Sequence, residues 1–150
     1  MKSKTGESTE LGNYPVVSGV TIALVTNCVN KVMLSMDTGE GEGEAFASCF
    51  TVDGRCEVKI MGKVYEGREE LKALGLQLYT KFRPATHWEG NVVVEATGVD
   101  NEVTNRSYWK SIINGECVSY GTHYDVLVKV DGPEYKIKSR TITHTWVKPK

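Results

Sequence analysis

Three histidines and two aspartates carry most of the acid–base chemistry available to this 150-residue chain. His87 follows Arg83-Pro84-Ala85-Thr86 and precedes Trp88. A neutral imidazole near pH 7 both accepts and donates a proton, which suits dehydration or isomerisation. The same residue also reads as a strand-end histidine bonded to a backbone carbonyl. Asp37 falls where a helical pattern ends. The negative end of a helix dipole disfavours a carboxylate, so Asp37 is not placed there for helix stability. It is either a loop residue or a group that orients His87 or His123 and stabilises its charged form. His123 and Asp125 alternate with Gly121 on one strand, so all three share a face, and the pair stands ~7 Å apart at the backbone. That pair either holds a substrate oxygen or belongs to a polar network with Ser139 and Arg140. Gly121 makes room for a neighbouring aromatic such as Tyr108. The third histidine, His144, is expected to face away from His123. No two histidines share an i, i+2 or i+4 spacing, so no metal site is expected.

The bulk properties narrow the partners. A net charge of −1 gives no electrostatic case for nucleic acid. The first fifteen residues are polar, without an apolar core or a cleavage site. No apolar run is expected to reach the ~20 residues that a membrane span needs, and a cytoplasmic location follows as the expectation. The four cysteines form no C-x-x-C pair and read as buried free thiols.

The elements that must position these groups follow from periodicity and turn chemistry. Residues 1–17 read as a polar tail and 18–150 as a single domain. Ser18 caps a helix whose apolar positions Ile22, Val25, Val29, Val32, Met33 and Met36 recur at helical spacing, and Asp37-Thr38-Gly39 ends it. Glu40–Glu44, with two glycines, reads as a flexible connector to a short apolar helix. "FTVDG" (50–54) reads as a turn before two short strands. A third helix spans 68–81, with Leu71, Leu74 and Leu78 on one side, and Arg83-Pro84 stops it. Four long strands follow, two of them joined by Asn114-Gly115, the strongest short hairpin signal. This order predicts an α+β domain in which a curved antiparallel sheet wraps around a long helix and leaves a cavity.

The inward face of the His123 strand depends on the turn at Asp131-Gly132-Pro133. A two-residue turn sets His123 opposite Arg140 and expels it. A three-residue loop sets Leu127 opposite Ile137, Asp125 opposite Ser139 and His123 opposite Thr141, all on the face of Tyr135. Pro133 cannot donate to a ladder and is better placed inside the loop, which favours this second register. The valines then point outward.

The run from Ala45 to Leu71 resembles the SnoaL-like group of the nuclear transport factor 2-like superfamily. Phe50, Asp53 and Gly54 match its Phe-x-x-Asp-Gly turn, and Gly67-Arg68-Glu69 its third-helix start. His87 with Asn91, Gly121 with Asp125, and then Tyr135, Ile137, Arg140 and Trp146 follow the pattern of its C-terminal half. By this resemblance the Gly121–Asp125 face shares a layer with Tyr135, which again favours the three-residue loop, so His123 is expected inside. The resemblance implies a cone-shaped α+β barrel with an apolar pocket, commonly dimerised through the outer sheet face. It implies His87 as acid/base and Asp37 as a carboxylate aimed at the pocket, as in dehydratase-like members. The isomerase-like catalytic carboxylate is missing, because Lys59-Ile60 stands at that place. The second dehydratase histidine is missing from "SYWKSII", unless His123 substitutes.

Two functions stay open. One is a cofactor-free enzyme, a cyclase, isomerase or dehydratase, acting on a small, apolar, oxygenated molecule. His87, Asp37 and His123 are its catalytic candidates; Tyr65, Tyr108, Asp125, Phe50, Met33 and Leu78 would contact substrate. The other is a ligand-binding or dimeric assembly module without catalysis.

Overall fold

The computed structural model describes residues 16–150. The first fifteen residues of the tail expected over 1–17 lie outside them. Helix α1 (Gly19–Thr38) starts where the Ser18 hydroxyl accepts the Thr21 N–H at 3.1 Å. It ends at Gly39, whose left-handed backbone lets its N–H reach the Ser35 carbonyl at 3.0 Å. Val25, Val29 and Val32, at helical spacing, are fully buried, with Met33 and Met36 beside them. Ile22, placed on the same stripe by spacing, is 41% exposed. Contrary to the expectation from apolar runs, α1 is long and apolar enough by length and composition to cross a membrane. In this fold its buried side packs instead against the sheet.

A 3-10 turn (Glu40–Gly43) leads into the short helix α2 (Glu44–Ser48). The turn is packed onto helix α3 (Arg68–Lys81), and Glu44 pairs with Arg68 of that helix. The remaining elements are six strands: β1 (Phe50–Val58), β2 (Lys63–Glu66), β3 (Ala85–Ala96), β4 (Glu102–Ile113), β5 (Glu116–Lys129) and β6 (Tyr135–Val147). They form one curved sheet in the order β2-β1-β6-β5-β4-β3. Every neighbouring pair is antiparallel except β1 with β6. The segment read as a turn, 50–54, lies inside β1, where the register against β6 shifts between Phe50 and Arg55. Asn114 and Gly115, both at positive φ, form the two-residue hairpin between β4 and β5.

The β5–β6 register begins as the three-residue reading predicts, with Leu127 opposite Ile137. Leu127, Asp125 and His123 are all buried on the concave face. Then the register slips by one, because Lys138 has no partner across the ladder. Asp125 therefore faces Arg140 rather than Ser139, and His123 faces Ile142 rather than Thr141. Positions 135 and 137 of β6 face inward before the bulge; beyond it the inward positions are 140, 142 and 144 in place of 139, 141 and 143. His144 consequently faces the same interior as His123, against expectation.

Cys28, Cys49 and Cys56 are buried free thiols, and burial pushes Cys28 and Cys56 up to about 12. Cys117, expected to be buried with them, is exposed.

Candidate active site

The end of α1 meets the start of β3 at Asp37 and His87. Both carboxylate oxygens accept the backbone N–H of His87, at 3.1 and 3.0 Å. The His87 ring Nδ1 lies 2.6 Å from Asp37 Oδ1. An ionised carboxylate only accepts, so Nδ1 carries the hydrogen and Nε2 is left as the ring's acceptor. Asp37 thus fixes both the position of the histidine and its tautomer.

A second pair of the same kind lies deeper. His123 Nδ1 stands 3.1 Å from Glu89 Oε1, and both side chains are almost wholly buried. The same Glu89 oxygen accepts from the Ser107 hydroxyl and lies 3.6 Å from Arg140 Nη2. Glu89 Oε2 has no hydrogen-bond partner among the described residues. Arg140 closes a two-point bond on Asp125, Nε to Oδ1 at 2.7 Å and Nη2 to Oδ2 at 2.9 Å. Asn105 donates to the same Asp125 oxygen at 2.9 Å and to Ser107 at 3.1 Å. This network supplies the counter-charges that make such burial tolerable.

Charge in the network is directional. Burial alone would raise the Glu89 carboxyl, but Arg140 and the bonds from His123 and Ser107 hold it below its ordinary range. Burial, reinforced by Arg140, pushes His123 below the ordinary histidine value despite Glu89. Burial also lowers His144, with His123 adding to the effect. Burial opposes the Arg140 charge as well, yet Asp125 and Glu89 more than reverse it and keep the guanidinium ionised. The pair is therefore a neutral imidazole on an ionised carboxylate.

Trp109 separates two of the histidines. Its ring stacks on His123 at 5.8 Å and meets His144 edge-on at 4.7 Å. Its indole N–H donates to the Thr143 carbonyl at 3.2 Å, reaching from β4 across β5 to β6. Gly121 lies opposite Trp109 on the strand between them. A Cβ there would stand 1.8 Å from the Thr143 oxygen, so only glycine allows this close approach of β5 and β6. Gly121 thus makes room for the Thr143 backbone, not for Tyr108.

His87, His123 and His144 line one apolar cavity of about 80 Å³ between the helices and the concave face. Met33 and Leu78 line it, as the sequence reading placed them. Four other candidates lie elsewhere. Asp125 is consumed by Arg140 and Asn105 behind His123. Phe50 packs on Phe46 in the core. Tyr65 is buried there too, its hydroxyl donating to Gln77 at 3.4 Å. Tyr108 is 61% exposed on the outer face, because Ser107 and Trp109 take the inward positions of β4. Glu89, Ser107, Arg140, Trp109 and His144 were not proposed as site residues. Glu89 carried a usable signal: it lies two residues from His87 on one strand and so shares its face. Among the described residues, no cluster of three histidine, cysteine or carboxylate groups is arranged to hold a metal.

The SnoaL-like domain model matches residues 21–141. The chain belongs to the SnoaL-like family. Its α+β fold is the nuclear transport factor 2-like one, and members of the family bind small-molecule substrates. No curated protein matches the sequence. Solved structures do. A candidate scytalone dehydratase from Novosphingobium aromaticivorans aligns at TM-score 0.72 and 23% identity, over 85% of this SnoaL-like chain and 85% of that one. LinA aligns at TM-score 0.75 and 18% identity, over 87% and 89%. A protein from Catenulispora acidiphila, in complex with S-DNPA, aligns at TM-score 0.70 and 21% identity, over 85% and 95%. At these identities the likeness concerns the fold.

Proposed function

We propose that this SnoaL-like protein is a cofactor-free enzyme that transfers protons on a small, largely apolar, oxygenated molecule, as a dehydratase, isomerase or cyclase. The observation that carries this is the pair of histidine–carboxylate dyads on a single apolar cavity. In the dehydratase form, His87 Nε2 takes a proton from the carbon beside a carbonyl, and Asp37 stabilises the imidazolium that forms. His123 Nε2 accepts the hydrogen of the substrate hydroxyl and aims it. The imidazolium of His87 then returns its proton to that oxygen. A C–H and a C–O bond break, a C=C bond forms, and water leaves. Returning the proton to another carbon gives isomerisation by the same groups. The name of the Novosphingobium neighbour fits the first of these outcomes.

A panel of β-hydroxy ketones, followed by the ultraviolet absorbance of the conjugated product, tests the reading. Wild type forms product, and His87→Gln loses about 10²–10⁴-fold in turnover while keeping its Tm. Turnover that is indifferent to His87 overturns the mechanism.

The alternative of a binding or assembly module draws on the opposite face. Trp88, Tyr108, Tyr120 and Tyr124 stand exposed there, more aromatic surface than isolated exposure accounts for. We read that face as the homodimer contact, which is compatible with either function. Sedimentation of wild type against Tyr108→Glu checks it: a dimer is expected for the first and a monomer for the second.

A further inference from the structure

The chamber that holds the dyads is too small for a whole substrate. An apolar cavity of ~150 Å³ takes one benzene. A chamber of about 80 Å³ therefore accommodates a functional group but no ring. It adjoins a larger vestibule of about 560 Å³, the two sharing Val58, Leu78, Phe82, Val118, Ser119 and His144 as walls. The vestibule is mainly apolar, and the ionised side chains that line it are all lysines: Lys81, Lys148 and Lys150. Lys148 is paired with Glu116. Lys81, in the last turn of α3, holds its ammonium 5.4 Å from the ring centre of Phe82. Phe82 faces both volumes, so this cation stands at the edge of the apolar wall.

We propose that the substrate is an elongated organic acid. Its oxygenated end enters the chamber between the dyads, its apolar body fills the vestibule, and its carboxylate rests on Lys81 and Lys150. The assignment of the reactive end rests on the proton-transfer reading above; the anionic end does not. A cation bordering apolar surface favours an anion whose own neighbouring atoms are apolar, since both ends of the ligand are then matched.

Calorimetric titration of the full chain with octanoate and with octan-1-ol separates the charge from the apolar body. Octanoate is expected to bind at least tenfold more tightly. Lys81→Gln combined with Lys150→Gln removes that preference and leaves octan-1-ol unchanged. Val118→Trp, which fills the shared wall, weakens both ligands. Equal affinity of the two ligands overturns the proposal, as does a preference that survives the double lysine variant or binding that ignores Val118→Trp. If turnover depends on His87 while the two ligands bind alike, the organic acid is wrong and proton transfer stands. If octanoate is preferred through the lysines while no variant alters turnover, proton transfer is wrong and the anionic ligand stands.

Discussion

His87 and His123 are held by the same bond, ring Nδ1–H to a carboxylate, yet they sit in different electrical surroundings. Among the described residues Asp37 serves His87 alone, at the end of a helix. Glu89 divides one oxygen among His123, Ser107 and the field of Arg140. Burial and Arg140 keep His123 neutral, so its carboxylate fixes a tautomer without making the imidazolium easy to form. The difference teaches that a histidine–carboxylate pair is not by itself a base: burial of the ring, together with the charges behind the carboxylate, decides whether it takes a proton or only holds one in place.

Replacing each histidine by glutamine is the sharpest way to break this comparison. His87→Gln should cost about 10²–10⁴-fold in kcat. His123→Gln, losing only an orienting bond worth about 1 kcal/mol, should cost about fivefold. Equal losses in steady-state kinetics would collapse the distinction. Stability should show the opposite order. Arg140→Met leaves Asp125 and Glu89 buried without their cation, at a cost of about 3–5 kcal/mol in urea unfolding. Asp37→Asn, near the surface, should cost about 1 kcal/mol. Gly121→Ala forces β5 and β6 apart beside His123; a loss of about 1–3 kcal/mol and a weakened near-ultraviolet signal from Trp109 are expected, with the His87 pair untouched.

The smallest effect is on pH. His123 and His144 have folded values below 6.5, so the unfolded chain binds more protons as the pH falls through that value. Their contribution to stability is present above about 6.5 and declines below it, until the folded values are passed. Glu89, held below 4.5, adds stability above that value and loses it as the pH falls through its folded value. Tm should therefore drop between pH 7 and 5, and His123→Gln should flatten the drop. A profile unchanged by that variant would assign the slope to other groups.

Much of this arrangement was legible in the residues. Capping at Ser18, the stop at Gly39 and the Asn114-Gly115 hairpin are local, and each is written in a few side chains. The resemblance to the family aimed Asp37 at the pocket, with His87 or His123 as its partner, and the inward turn of His123 followed from Pro133 in one loop together with the family's pattern on that strand. What escaped depends on contacts between distant strands. Lys138 carries no mark of a bulge, so the facing of Arg140 and His144 was hidden until β5 and β6 were paired. Tyr108 and Trp109 are neighbouring aromatics, and only strand parity decides which enters the core. Glu89 reads as an ordinary strand carboxylate until Arg140 arrives from 51 positions along the chain to neutralise it.

The unpaired Lys138 also has an evolutionary reading. It acts as an inserted beat that moves half of β6 into the opposite phase. Deleting that one codon would close the ladder without moving its partners: Ser139 would still face Val126 and Arg140 would still face Asp125, so Arg140, Ile142 and His144 would keep their places in the lumen and only the local kink would go. A lineage can thus gain or lose a residue at this point without disturbing the wall of its container, because the bulge absorbs the change in length.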